Sequence, residues 1–234
     1  MKPKIENRKS ELLISEVFHS IQGESMRAGQ PCVFVRLAGC HLRCNYCDTE
    51  YAFHGGERSA IGDVVARVRG YDCDLVEVTG GEPLLQQGVH DLMRLLCDAG
   101  KTVLLETSGA CDISMCDPRV IRIMDIKTPD SGEVQRNLWS NMDHLTSRDE
   151  IKFVIGSRAD YEWSRDVLRE YHLNERVAVV LFSPVHVMPP GNEVPGAEGL
   201  SLHDLGQWVL EDGLPVRIQV QLHKLIWDPM ARGV

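Results

Sequence analysis

The stretch 75-LVEVTGGEPLLQQGVHDLMRLLCDAGKTVLLETSG-109 decides the fold class. Its two ends, 75-LVEVTG and 102-TVLLETSG, are short runs rich in Val and Leu. Such runs suit strands covered on both faces, which have no solvent side to alternate with. Between them, 87-QGVHDLMRLLCDAG is helix-like and stops at Gly100, a common helix end. Strand, helix, strand in this order predicts a parallel pair joined by a crossover.

The pattern repeats outward. Further strands are expected at 32-CVFVRLAG, 120-VIRIMDIK, 150-EIKFVIGS, 177-VAVVLFSP and 216-VRIQVQLHK, with an extra one near 12-LLISEVF. Helices are expected at 59-SAIGDVVARVRG, 158-RADYEWSRDVLREYHL and 200-LSLHDLGQWVLEDG, and a Pro/Gly loop at 185-VHVMPPGNEVPGAEG. Right-handed crossovers wind such units into a barrel or an open sheet. Six or seven units are too few for a closed eight-stranded barrel, which usually needs about 250 residues. The expectation is one α/β domain over 1–234, a partial, open (β/α)6-type barrel of mostly parallel strands.

Composition narrows the function. Hydrophobic content of 43% and charged content of 25% are ordinary for a globular chain. The net charge of −9, with no run of more than two adjacent Lys or Arg, argues against a nucleic-acid partner. No apolar run approaches the roughly 18 residues that a membrane span needs. The charged start, 1-MKPKIENRKSELL, lacks the apolar stretch of a secretory signal, so a cytoplasmic location is expected. In that setting eight cysteines point to metal binding or buried thiols rather than disulfides. Cys32, Cys73 and Cys97 sit among apolar neighbours and read as core residues. Cys111 and Cys116 lack a matching ligand pair nearby.

Nearly every expected strand ends in polar chemistry: GCHLRC, TGGEP, ETSG, DIKTP, FSPVH and QLHK. In α/β folds of this type the carboxyl ends of the strands carry the active site. One composite site is therefore the economical reading. Its centre is 39-GCHLRCNYCDTEY-51, with Cys40, Cys44 and Cys47 inside eight residues. Structural zinc needs four protein ligands, and the fourth would be His41, His54 or a distant cysteine. Three thiolates suit a [4Fe-4S] cluster with one iron left open for a substrate or cofactor. At the end of the next strand, Gly80 and Gly81 lack Cβ and let the backbone approach a ligand closely.

The cysteine spacing, with Tyr46 before the last thiol and 79-TGGEP-83 on the next strand, resembles the radical S-adenosylmethionine (SAM) enzymes. More narrowly, 19-HSIQGES-25, 36-RLAGCHLRCNYCDTEY-51, 79-TGGEP-83, 106-ETSG-109, 125-DIK-127 and 221-QLHK-224 resemble the 7-carboxy-7-deazaguanine synthase family of queuosine and 7-deazapurine biosynthesis. The resemblance implies cluster ligation by Cys40, Cys44 and Cys47. It implies SAM contacts from Tyr46, Cys47, Asp48, Gly81, Glu82, Ser108, Asp125, Ile126, Lys127 and Ser183. Thr49 would bind Mg²⁺, and Ile21, Gln22, Gly23, Arg36, Thr79, His223 and Pro229 would contact a 6-carboxy-tetrahydropterin substrate, Arg36 at its carboxylate and Gln22 at its pterin edge, with 216–234 as the substrate-side segment. An electron donor such as flavodoxin or ferredoxin and a homodimer come with the same resemblance. For Arg36 an ordinary ion pair, with Glu24 as one candidate partner, is the plainer reading. Two departures stand out: Ser25 replaces the second glycine of the family's QGEG, and the chain continues past Pro229 with 230-MARGV.

An activase that plants a glycyl radical on a partner protein would share the cysteines and the SAM site. A non-catalytic iron–sulfur carrier would usually use four cysteines and has no need of TGGEP. Metal analysis separates the cluster from zinc. About four irons per chain are expected after anaerobic reconstitution; stoichiometric zinc in their place would remove the cluster.

Overall fold

The computed structural model describes residues 10–188 and 197–234. The centre of the expected Pro/Gly loop, 189–196, lies outside the described residues. The strands are β1 (Glu11–Ile21), β2 (Pro31–Leu37), β3 (Glu57–Ala60), β4 (Leu75–Gly80), β5 (Thr102–Thr107), β6 (Ile121–Asp125), β7 (Glu150–Ile155), β8 (Val179–Pro184) and β9 (Arg217–Ile218). The helices are α1 (Ile61–Arg69), α2 (Val89–Asp98), α3 (Arg158–Glu170), α4 (Leu173–Arg176), α5 (Leu202–Asp212) and α6 (His223–Ile226).

The strands form one open sheet in the order β3-β1-β2-β4-β5-β6-β7-β8-β9. From β2 through β9 every pairing is parallel, whereas β1 runs antiparallel to both β2 and β3. The edge strands are short, and β3 carries Glu57 and Arg58, which discourages pairing with another chain. α2 shows how a helix docks on this sheet. Its buried residues Val89, Leu92, Met93 and Leu96 fall at i, i+3, i+4 and i+7, one stripe of a 3.6-residue period.

Four crossovers between parallel strands carry a helix of nine residues or more, and the β5–β6 and β6–β7 crossovers carry none. The sequence explains this. Residues 108–120 and 126–149 lack apolar helical spacing and are punctuated by Pro118, Pro129, Gly132, Asn137 and Asn141. Buried polar side chains satisfy the backbone that a helix would satisfy by itself. Asn141, with no exposed surface, donates to the Gly109 and Cys111 carbonyls (3.1 and 2.8 Å) and accepts from Ile113 N (3.2 Å). Asp149, also fully buried, accepts from Arg122 N, Nε and Nη2 (2.9, 3.0 and 2.5 Å) and from Thr146 N and Oγ1 (2.8 and 2.9 Å). The expected strand at 216–224 is reduced to Arg217–Ile218. Beyond it, Gln219 and Gln221 spend their side chains on Glu24, and the chain turns into α6.

Replacing Asp149 by Ala leaves the Arg122 guanidinium buried without its counter-charge. The expected cost is about 3–5 kcal/mol of stability, read as a fall in the urea midpoint. An unchanged midpoint would show that something else holds this crossover.

Candidate active site

Parallel pairing puts the carboxyl ends of β2 and β4 side by side, with Leu37 in register with Gly80. Beyond them the two loops touch backbone to backbone. Gly81 N donates to Leu37 O (3.3 Å) and Glu82 N to Gly39 O (2.9 Å). A Cβ at Gly80 would sit 2.4 Å from Leu37 O. One at Gly81 would sit 2.5 Å from Gly39 O and 2.7 Å from the Cys40 Cβ. The glycines are thus required first by the cysteine loop rather than by a ligand, although Gly81 also lines the cavity described next.

The cysteine loop walls a cavity of about 680 Å³ into which Cys40, Cys44 and Cys47 face. The loop is stitched to the β6–β7 crossover, which holds short 3₁₀ segments but no α-helix. Asn45 N donates to Ser131 O (3.0 Å), Asn45 Nδ2 to Asp130 O (2.9 Å) and Arg43 N to Glu133 Oε1 (2.6 Å). Burial pushes the Cys47 thiol up to about 12 and raises Cys40 and Cys44 as well. Thiolates here need a cationic partner, which bound iron supplies. Among the described residues no three His, Cys, Asp or Glu side chains are placed to hold a single metal ion. His54 is exposed, and His41 Nδ1 is buried without a partner and off the cavity wall. The donor set therefore fits a cluster held at three points and not a four-ligand zinc.

On the cofactor side, Tyr46, Ser108, Asp125, Lys127 and Ser183 line the cavity. Lys127 Nζ donates to Asp125 Oδ2 (2.6 Å). Burial opposes the ammonium charge, but Asp125, then Cys44 and Tyr46, more than offset it, so the Lys127 pKa stands above its ordinary value. Asp125 Oδ1 is buried without a partner, an acceptor that suits a ligand hydroxyl or ammonium. Two expected SAM residues lie elsewhere. Glu82 is fully buried off the cavity wall. Its carboxylate accepts from Thr107 Oγ1 (2.9 Å), Ser108 N (2.8 Å), Ser108 Oγ (2.5 Å) and Leu84 N (3.0 Å). It is a strut between β4 and β5, because four donors leave no lone pair for a ligand. Ile126 is buried in the core, where its N–H pairs with Lys152 O (2.9 Å).

On the other side, Ile21, Gln22, Gly23, Arg36, Thr79, His223 and Pro229 all reach the cavity. Arg36 Nε donates to Glu16 Oε1 (2.8 Å), not to Glu24. Glu16 and Arg36 are directly opposed across the β1–β2 ladder, the closest position for such a pair. Gly23 admits His223: a Cβ there would fall 2.0 Å from its Nδ1. Burial lowers the His223 pKa and favours the neutral ring. Thr49 Oγ1 donates to Asp48 Oδ1 (2.9 Å), and Lys224 Nζ donates to Asp48 Oδ2 (2.7 Å). Burial opposes the Asp48 charge, yet Lys224, Gln221 and Thr49 hold its pKa well below the usual range.

A buried charge network went unread in the sequence. Lys152 Nζ donates to Glu24 Oε2 (2.8 Å) and to Glu106; Gln22 Nε2 donates to Glu77. The signal was available: a Lys inside 150-EIKFVIGS and a Glu inside 75-LVEVTG are charges within strands expected to be covered on both faces. Such charges need buried partners.

Residues 35–186 match the Radical SAM superfamily model. Relatives named 7-carboxy-7-deazaguanine synthase occur in Chlorobaculum tepidum, 45% identical over 95% of this chain and 97% of theirs, and in Koribacter versatilis, 44% identical over 94% and 99%. The chain belongs to the 7-carboxy-7-deazaguanine synthase family of radical SAM enzymes. The crystal structure of QueE from Escherichia coli shares the fold, with a TM-score of 0.71 and 23% identity over 91% of this chain and 95% of that one. Family membership carries a [4Fe-4S] cluster and SAM with it.

Gly81→Ala is expected to push the cysteine loop off β4 and to reduce iron retained after anaerobic reconstitution to less than half of wild type, with the circular dichroism of the fold preserved. Full iron content in that variant would show that the close loop contact does not set the cluster site.

Proposed function

We propose that the chain converts 6-carboxy-5,6,7,8-tetrahydropterin to 7-carboxy-7-deazaguanine with loss of ammonia, acting as a radical SAM carbon–nitrogen lyase. The observation that carries this reading is that one cavity holds two chemistries. Three thiols and the Lys127–Asp125 pair line it together with Gln22, Arg36, Thr79 and His223. The family match over nearly the whole chain supports it.

Cys40, Cys44 and Cys47 would hold the cluster, which when reduced supplies the single electron that cleaves SAM to a 5′-deoxyadenosyl radical. The protein orients and shields. Lys127 offers an ammonium already neutralised by Asp125, and Asp125 keeps one oxygen free. Ser108 and Ser183 add hydroxyls at two further strand ends. The Thr49 hydroxyl donates a hydrogen bond to Asp48, so its oxygen lone pairs remain for Mg²⁺. Magnesium takes few protein ligands and completes its shell with water and substrate oxygens.

On the substrate side the Gln22 amide is locked in one orientation. Its Nε2 donates to Glu77 and its Oε1 accepts from Glu24 N (3.1 Å), which leaves one N–H and one lone pair to read a pterin edge. Arg36 keeps free N–H groups beyond its Glu16 contact, suited to a carboxylate. Glu77 retains its proton, since burial and then the neighbouring Glu106 raise its pKa well above the ordinary carboxylate value. The His223 ring stays neutral and packs on Gly23. A one-electron donor of the flavodoxin or ferredoxin type and a homodimer complete this reading, as does a cytoplasmic location. No helix among the described residues is long and apolar enough to cross a membrane.

Anaerobic incubation with the carboxytetrahydropterin, SAM, Mg²⁺ and dithionite is expected to yield the deazaguanine and ammonia. Cys44→Ala is expected to lower 5′-deoxyadenosine formation at least about 100-fold. An intact cluster without deazaguanine product overturns the substrate assignment, and normal SAM cleavage by Cys44→Ala overturns the ligand assignment.

A further inference from the structure

Among the described residues five lysines and arginines line the cavity, and four of them pair with carboxylates. Arg36 pairs with Glu16 (2.8 Å), Lys127 with Asp125 (2.6 Å), Lys152 with Glu24 (2.8 Å) and Lys224 with Asp48 (2.7 Å). The fifth, Arg232, makes no hydrogen bond or ion pair among the described residues. Its guanidinium carbon lies 4.1 Å from the centroid of the Tyr51 ring. The Arg36 guanidinium lies 5.9 Å from the same centroid. At this corner Glu16 Oε1 accepts both Arg36 Nε and the Tyr51 hydroxyl (2.8 Å each), and Asp48 and Glu50 line the same cavity. Two guanidinium groups thus flank one ring, and that of Arg232 keeps its N–H donors free of hydrogen-bond partners among the described residues. A cation–π contact uses the charge of the guanidinium but not its N–H donors, which stay available to a ligand.

The tail that carries Arg232 is folded back over the cavity by its own sequence. Asp228 Oδ1 accepts Met230 N (2.8 Å) and Asp228 O accepts Ala231 N (2.9 Å), closing a turn at Pro229. Residues 230–234 then run along the cavity wall beside Glu16. Arg232 therefore stands over the Tyr51 ring, at the corner that also holds the Arg36–Glu16 pair.

We propose that Arg232 is a specificity-determining residue that, together with Arg36, clamps the carboxylate of the pterin substrate, and that the 230–234 tail delivers it. This rests on the pterin reading above. Guanidinium groups bind carboxylates through paired, charge-assisted hydrogen bonds, so removal of one should weaken binding of the charged ligand selectively.

The test is calorimetric binding to the reconstituted protein without reductant, with 6-carboxypterin, unsubstituted pterin and SAM as separate probes. Wild type is expected to prefer 6-carboxypterin to pterin. Arg232→Ala should lose about tenfold in Kd for 6-carboxypterin, close to 1.4 kcal/mol, and less than twofold for pterin and for SAM. A chain ending at Pro229 should show the same selective loss, and Arg232→Lys should recover part of it. In turnover, Arg232→Ala should raise KM about tenfold and leave kcat within twofold, the signature of lost uniform binding. An unchanged Kd for 6-carboxypterin overturns the proposal, as does an equal loss on both pterins, which would mean tail packing alone. A loss on SAM instead would assign Arg232 to the cofactor carboxylate and also overturn it. If wild type binds neither pterin and forms no deazaguanine, the substrate reading itself falls; normal wild-type turnover with an unaffected Arg232→Ala removes only this clamp.

Discussion

The site depends on how closely two backbone segments can approach. Parallel pairing of β2 and β4 aligns Leu37 with Gly80, and the next two residues on each strand continue past the sheet edge in contact. At Gly80 and Gly81 any side chain would enter the space of the Leu37 and Gly39 carbonyls. The absence of two Cβ atoms therefore fixes where the first cysteine can stand. Glu82 then locks the arrangement from behind: its carboxylate gathers hydroxyls and amides from β5 and from the Pro83 turn. The three-cysteine loop is consequently held from the sheet on one side and from the β6–β7 crossover on the other. Burial raises the pKa of all three thiols, and bound iron would supply the counter-charge that their thiolates need.

Electrostatics organise the remainder of the cavity. Lys152 lies in mid-strand on β7 and is buried, so its ammonium is tolerable only because Glu24 and Glu106 both reach it. Glu24 comes from the loop after β1 and Glu106 from β5, so a single lysine ties the antiparallel flank to the parallel core. A third carboxyl, Glu77, shares this space. One lysine cannot balance three carboxylates in a buried setting, and burial with the Glu106 charge keeps Glu77 neutral. A neutral acid facing a fixed Gln22 amide is a hydrogen-bonding surface, suited to a flat heterocycle with both donors and acceptors. Guanidinium N–H groups without a hydrogen-bond partner among the described residues face the cavity elsewhere, at Arg36.

Much of this was legible in the sequence, and for physical reasons. The parallel strands are continuous apolar runs, and their ends carry the polar motifs, so the direction of chain travel already places those motifs on one edge. The cysteine loop is readable because ligand spacing is a local property. What was not legible depends on residues far apart in the chain. The Arg36 partner is Glu16 because of strand register, which no spacing rule gives. Glu82 looks like an available charge in 79-TGGEP-83, yet it is consumed by Thr107 and Ser108, some 25 residues on. The two crossovers without an α-helix read as undefined segments because their order comes from Asn141 and Asp149, single buried side chains with no periodic signature.

Ser25 shows how local strain is tolerated beside such a site. It occupies the left-handed region at φ 65°, a conformation that costs a non-glycine residue roughly 1–2 kcal/mol. That explains a glycine preference at this position, and it sharpens the question of how serine is accepted. Two contacts answer it. The Ser25 hydroxyl accepts Arg27 N (2.9 Å), a bond that glycine cannot make. Its own N–H donates to Gln219 Oε1 (2.7 Å), while Gln219 Nε2 donates to Glu24 (3.1 Å). The bond to Arg27, at about 1 kcal/mol, offsets most of the strain. The bond to Gln219 couples the loop after β1 to the segment after β9, nearly two hundred residues later. The substrate-side wall is therefore assembled from the two ends of the described chain, and the serine that departs from the family pattern is one of the residues that joins them.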